Sequence, residues 1–244
     1  MNTWKEHCVG AFKAGIALTG FLSSFYTMVD LMFFLSNPNF SIAPNKTELS
    51  NVSWTWALIM NTLLVSIFAL QHSLLAMKPV KDLFKEYGLR DIERSIYIIT
   101  TSLALELLIK NWHYTHNNVL WQFSTDNHST YWLYILAHAT SWILIYIGSV
   151  CMDINELLGL KQIYYSLRGF PDPLNCKSIE LRNLYAHMRH PSFIGFIIIF
   201  WFVPVMRFDR VLLAAFLSLY MYIAWKTDDM DLNYQKCQIS RKFQ

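Results

Sequence analysis

The residues best placed to do chemistry gather in one stretch of this 244-residue chain, "YAHMRHPSFIGF", from Tyr185 to Phe196. Arg189 and His190 stand directly before Pro191, and apolar sequence then runs to Trp201. A helix starting near Ser178 meets Pro191, whose ring clashes with the carbonyl four residues back, at His187. The break frees backbone groups that membrane depth tolerates only beside protein or a polar cavity. The Arg189 fork suits a carboxylate, which it can bond bidentately. Two readings follow: a broken helix walling a ligand pocket, or a plain kink with an interfacial arginine on lipid phosphate. A second group, "WKTDDMDLNY", sets Asp228, Asp229 and Asp231 just behind the last apolar block. These carboxylates can accept from a ligand's hydroxyl or ammonium groups, or pair with Arg189 or Arg182.

Other polar residues have plainer readings. Gln71 and His72 lie inside an apolar block, in "FALQHSLLAMKPVKDLF", and Glu93 and Arg94 stand where another begins, in "DIERSIYIITTSLALELL". Intramembrane polar side chains usually face the protein interior, so these four are expected to form a structural network between helices. Asp91 is placed to cap its helix. Glu106 and Lys110, four apart, are placed to form an ion pair. Asp30 and His138 are isolated and assigned to packing.

The elements that must position these residues follow from composition. The chain is 54% hydrophobic and 15% charged, where a soluble domain carries about a quarter charged residues. Its apolar residues fall in blocks of the length that a bilayer core asks of a helix. Six are read, at about 10–35, 54–77, 94–110, 131–152, 191–206 and 211–225. The expectation is an all-α polytopic membrane protein, a single membrane domain over 1–244. The last two blocks are short and expected to form one tilted hairpin. The first is too long for a signal segment and is read as a retained span. In the fourth loop, "NELLGLKQIYYSLRG" puts Leu157, Leu160, Ile163, Tyr164 and Leu167 on one helix face. That predicts a helix lying in the interfacial plane, ended by the prolines of "GFPDPLN".

Basic residues set the orientation. One side holds the N-terminus, the second loop (Lys78, Lys81, Lys85, Arg90, Arg94), the fourth loop (Lys161, Arg168, Lys177, Arg182, Arg189) and the tail. Only Lys46, Lys110, Arg207 and Arg210 fall on the other. Both termini are therefore expected to face cytosol or nucleoplasm. The N-x-[ST] tripeptides at Asn39, Asn45, Asn51 and Asn127 all fall in loops on the opposite, luminal side. The net charge of +3 fits a rim beside anionic lipid rather than a nucleic-acid partner. The four cysteines show no C-x-x-C spacing, so neither a metal site nor a disulfide is expected.

"FALQHSLLA", "ERSIYIITTSLALELL", "GLKQIYYSLRG", "RHPSFIGFIIIFWFVP" and "DDMDL" occur in this order between Phe68 and Leu232. In order and spacing they resemble the methanethiol S-methyltransferase and NnrU-like membrane proteins, and more distantly the isoprenylcysteine carboxyl methyltransferases. Within that group the chain is most similar to an inner nuclear membrane protein of animals. The resemblance implies a helical membrane fold in the nuclear envelope, whose C-terminal half can cradle S-adenosylmethionine. The cofactor residues it implies are Arg189, His190, Pro191, Gly195, Asp228 and Asp229. Asp228 and Asp229 replace a usual Glu-Glu pair, and Phe193 stands where the enzymes usually carry Tyr. The alternative it implies is an active methyltransferase acting on a thiol, carboxylate or lipid-borne acceptor that enters from the bilayer.

Overall fold

The computed structural model describes residues 3–37, 53–115, 118–182, 192–224, 229, 232–233, 236–237 and 240. Six apolar helices form the body: α1 (Thr3–Ser36), α2 (Trp54–Ala76), α4 (Glu93–Lys110), α5 (His128–Cys151), α8 (Phe193–Trp201) and α9 (Phe208–Ala224). Each overlaps one of the six apolar blocks. Short surface helices α3 (Lys78–Glu86), α6 (Ile154–Leu157) and α7 (Leu160–Arg168) join them, with a 3₁₀ turn at Pro173–Cys176. Among the described residues the fold is all-α apart from one antiparallel ribbon, β1 (Val119–Gln122) with β2 (Val205–Arg207).

Three described helices are long and apolar enough to cross a membrane by length and composition: Glu6–Ser36 within α1, α2 and α5, with mean hydropathy 1.5, 1.7 and 1.5. α4 carries Glu93, Arg94, Glu106 and Lys110 within its 18 residues. α8 has nine residues and α9 seventeen, about 14 and 25 Å of helix. These two pack on each other, as the short final blocks predict.

Neighbour contacts arrange the six helices in the order α1, α4, α2, α9, α8, α5, and hydrogen bonds from α5 back to Ser36 close the circuit. Their directions alternate along the chain. α1 and α4 run side by side in the same sense, since Lys13 meets Asp91 while Lys110 lies over the Tyr26 ring. α2 and α9 run the other way, pairing Ser73 with Tyr220 near their ends. The start of α1 and the end of α9 therefore lie at one end of the bundle. That end also holds Lys78, Lys81, Lys85, Arg90, Lys161 and Lys177 and is called here the basic end. The other is the ribbon end.

The main core fills the ribbon half, where Phe34, Leu35, Val65, Leu108, Trp112, Ile145, Ile199, Phe200 and Leu213 are buried together. A satellite of Ala17, Ile92 and Ile163 ties α1, the loop before α4 and α7 at the basic end. The outward faces stay apolar, with Phe25, Leu63, Leu70, Leu133, Leu136, Ile143 and Leu219 all exposed, as lipid contact requires. Exposed Trp54, Trp56, Trp121, Tyr131 and Trp132 gather at the ribbon end, the distribution of an interfacial aromatic belt.

Two local expectations change. α7 forms as predicted, but its apolar face is divided: Ile163 is buried with Ala17 of α1 while Tyr164 and Leu167 are more than half exposed. Asp91 does not cap α4. Ile92 occupies that position without a side-chain bond, and Asp91 turns away to bridge α1 and α7.

Candidate functional site

The basic end is built from three arrangements. The first is a polar seam between α2, α4 and α9. Gln71 donates to the Thr100 hydroxyl at 2.9 Å. The Tyr97 hydroxyl lies 2.9 Å from the His72 ring nitrogens, and Phe68 stacks on His72 with centroids 5.5 Å apart. Arg94 lies over the Tyr97 ring at 4.8 Å, and its Nε donates to the Leu157 carbonyl at 2.7 Å. Glu93 sits at the start of α4 beside Arg94, with Lys81 and Arg90 near enough to act on its charge. Three of the four predicted network residues are thus bonded helix to helix or helix to loop. Tyr97 joins two of them, bonded to His72 and lying under Arg94.

The second arrangement is a latch. Gly159 turns with φ 84° directly against the first turn of α4, where an added Cβ would stand 2.5 Å from Ser95 Oγ and 2.8 Å from its nitrogen. No side chain fits there, and the positive φ independently favours glycine. Asp153, also at positive φ (58°), accepts from Lys161 at 2.5 Å, and Lys177 meets Glu156 at 3.1 Å. Burial pushes the Asp153 carboxyl up, but the Lys161 hydrogen bond and charge, the Glu156 backbone bond and the Lys177 charge together hold it below the usual range. The Asp153 bond in turn raises the Lys161 ammonium. Together these residues fasten the α5–α7 corner to α4.

The third is a cleft of about 510 Å³ between α1, α3, α7 and the loop beyond it, lined by residues that include Lys13, Lys85, Arg90, Asp91, Ser166 and Asp172. Asp91 Oδ2 accepts from Lys13 at 2.5 Å and from Ser166 at 2.7 Å. Burial raises this carboxyl, but those two bonds and the Lys13 charge prevail and hold it below its ordinary value. Arg90 meets Asp172 at 3.1 Å.

Of the cofactor residues implied by the resemblance, Arg189, His190, Pro191 and Asp228 lie outside the described residues. Asp229 is described and exposed. Gly195 is buried where α8 crosses α5, and a Cβ there would stand 2.8 Å from Ile145 Cγ1 and 3.0 Å from the Ser141 carbonyl. Its lack of a side chain is what lets the two helices approach. Asn127 caps α5 by accepting from the Ser129 nitrogen, while Asn39, Asn45 and Asn51 lie outside the described residues.

A second polar cluster, at the ribbon end, was not anticipated from the sequence. Asp209 is fully buried and accepts from Trp112 Nε1, the Thr115 nitrogen and the Thr115 hydroxyl at 3.0, 3.0 and 2.6 Å. Arg210 donates to the Phe34 and Leu35 carbonyls at the end of α1. Asn61 exchanges two hydrogen bonds with the His113 backbone. His138 is more than packing. Its Nε2 donates to the Phe202 carbonyl, which leaves Nδ1 to accept from the Ser36 hydroxyl, both at 2.7 Å. The Ser36 oxygen in turn accepts from Trp142 Nε1 at 2.8 Å. Tyr114, just beyond α4, has its hydroxyl pushed up to about 12 by burial. Glu106 and Lys110 pair at 2.9 Å as their spacing predicts.

No family model matches the chain, and no solved structure matches it. Curated relatives do. It is 42% identical over 229 residues to a nurim homolog of Drosophila pseudoobscura pseudoobscura, covering 90% of each chain. It is 41% identical over 236 residues to the nurim homolog of Drosophila melanogaster, covering 93% of this chain and 92% of that one. Nurim of Bos taurus is 35% identical over 242 residues, covering 93% and 91%. Likeness at this level along almost the whole length, on a membrane bundle of apolar helices, identifies the chain as a member of the nurim family.

Proposed function

We propose that this protein resides in the inner nuclear membrane, continuous with the endoplasmic reticulum, on a methyltransferase-like scaffold whose basic end holds S-adenosylmethionine. The observation that supports the reading is convergence. Motifs far apart in sequence come to one end of the bundle: Gln71 and His72 near the end of α2, Glu93 and Arg94 at the start of α4, and Ser192 and Phe193 directly after Pro191. α9 ends at Ala224 at that same end, just before Asp228 and Asp229.

In this reading the Arg189 fork meets the cofactor's carboxylate, and Asp228 or Asp229 accepts from its ammonium or ribose hydroxyls. Asp229 is exposed to solvent and available for that role. His190 and the backbone freed ahead of Pro191 line the pocket, and Gly195 lets the start of α8 close against α5. When bound, the cofactor supplies a methyl group on a sulfonium. The residues named contribute positioning and charge placement, and a small or lipid-borne acceptor reaches them from the bilayer. The basic ring at this end supports both termini facing cytosol or nucleoplasm.

Calorimetry with S-adenosylhomocysteine tests the cofactor site. Wild type is expected to bind, and Arg189→Ala and Asp229→Asn each to lose about 1.5–3 kcal/mol, roughly ten- to a hundredfold in affinity. A folded wild type giving neither heat nor a thermal shift leaves a membrane scaffold without a cofactor.

A further inference from the structure

We propose that the cleft between α1, α3 and α7 is a site for an anionic glycerophospholipid, with the headgroup phosphate on Lys85 and Arg90 and the acyl chains running out over the rim. The proposal is independent of the cofactor reading and uses other residues. At about 510 Å³, the cleft has the size of small-ligand sites.

Its charges are unevenly committed. Lys13 is consumed by Asp91, whose Oδ2 accepts from both Lys13 and Ser166 while Oδ1 is buried without a hydrogen bond. Asp172 accepts from the Leu174 nitrogen and from one terminal nitrogen of Arg90. Arg90 keeps half of its side chain exposed (50%) and the rest of its fork open. Lys85 has no ion-pair partner among the described residues. The carboxylates are therefore turned to internal cations, while two cationic groups remain for an outside anion. Gly88 and Gly169 sit at positive φ on the cleft wall, just beyond α3 and at the end of α7, and a Cβ on either would meet nothing within 4 Å. The cleft is open there.

The surroundings select a lipid over a free anion. Phe170 lines the cleft and is more than half exposed, and Leu83 of α3 and Tyr164 and Leu167 of α7 are as exposed on the helices that carry its walls. A soluble phosphate gains nothing from Phe170 and the exposed apolar side chains of these surface helices, whereas acyl chains running out over the rim cover them. Basic pockets among membrane helices at a headgroup level recognise anionic lipids in this way. The cleft lies at that level, where Lys13 of α1 meets the surface helices.

The test is native mass spectrometry of the full chain in detergent, titrated with dioleoyl phosphatidic acid, dioleoyl phosphatidylcholine or inorganic phosphate. The expected result is one saturable phosphatidic acid adduct, weaker phosphatidylcholine binding and no retained phosphate. Lys85→Gln with Arg90→Gln should weaken the adduct about tenfold or more. Lys78→Gln with Lys81→Gln, the same charge change outside the cleft lining, should leave it unchanged. Equal weakening by both pairs means diffuse surface attraction and overturns the site. So does an adduct indifferent to the cleft pair, or phosphate held as tightly as lipid. Displacement of phosphatidic acid by S-adenosylhomocysteine would assign the cleft to the cofactor and likewise overturn the proposal.

Discussion

At the ribbon end Asp209 has no exposed surface and accepts three hydrogen bonds from two residues of another segment. At the basic end Arg90 and Asp172 meet with side chains 50% and 26% exposed. The first arrangement resists change because stripping one partner leaves buried donors with no water to replace it. The second exchanges partners readily, since an exposed ion pair contributes little and competes with solvent and ligands. One end fixes where the helices stand, and the other keeps charge available at the surface. The bundle thus separates holding its shape from carrying exposed charge.

That contrast can be broken most sharply at Asp209. Asp209→Ala strands Trp112 Nε1 and both Thr115 donors, and should cost about 3–5 kcal/mol in detergent, read as a large fall in the thermal midpoint. Asp172→Ala at the other end should cost below ~1 kcal/mol. Similar losses at both positions would erase the distinction. Gly159→Ala comes next, because it is the point where the open end borrows rigidity. A Cβ there collides with Ser95 and forces a side chain into left-handed backbone, so about 2–4 kcal/mol should be lost. Limited proteolysis should then cut first between Cys151 and Cys176.

A smaller effect than that of Gly159 sharpens the comparison through pH. The Asp91 carboxyl is held below its ordinary value by Lys13 and Ser166 after the opposing push of burial. A depressed carboxyl stabilises above its unfolded pKa, near ~4, and loses that contribution as pH falls through the lower folded value. Asp91→Asn should therefore be less stable than wild type by about 1–2 kcal/mol at neutral pH. The gap should close below about pH 4. A gap that persists in acid would mean that packing, and not the Lys13 pair, ties α1 to α7.

The helices were legible because an apolar block of bilayer length announces itself. α2 begins at Trp54 and α4 at Glu93, within a residue of where those blocks start. The Glu106–Lys110 pair was legible because it is local. Longer-range features were not. Arg207 and Arg210 read only as two of the few basic residues on the luminal side, since a sequence window sees the charge and not the α1 carbonyl that receives Arg210 from 175 positions away. β1 and β2 are four and three residues long, too short to signal, and are defined only by each other. Asp91 sits at a natural capping position, yet an ammonium on α1 competed for it and won. Of the candidate site, the seam residues Gln71, His72 and Arg94 were readable as buried polar groups. The cleft was invisible, because its walls come from three separate segments.

The union of Thr115 with Asp209 spans 94 positions, and this carries a consequence for how the protein is made. A membrane chain is delivered in order, so α1, α2, α4 and α5 are made before Asp209 is synthesised. Until the final hairpin arrives, Trp112 and Thr115 lack their acceptor, the ends of α1 lack Arg210, and β1 has no second strand. The first four helices are therefore made before the groups that satisfy their polar ends. A nascent chain stopped short of α9 should accordingly remain a target for membrane quality control, and the last helix acts as the clasp that releases the protein from it.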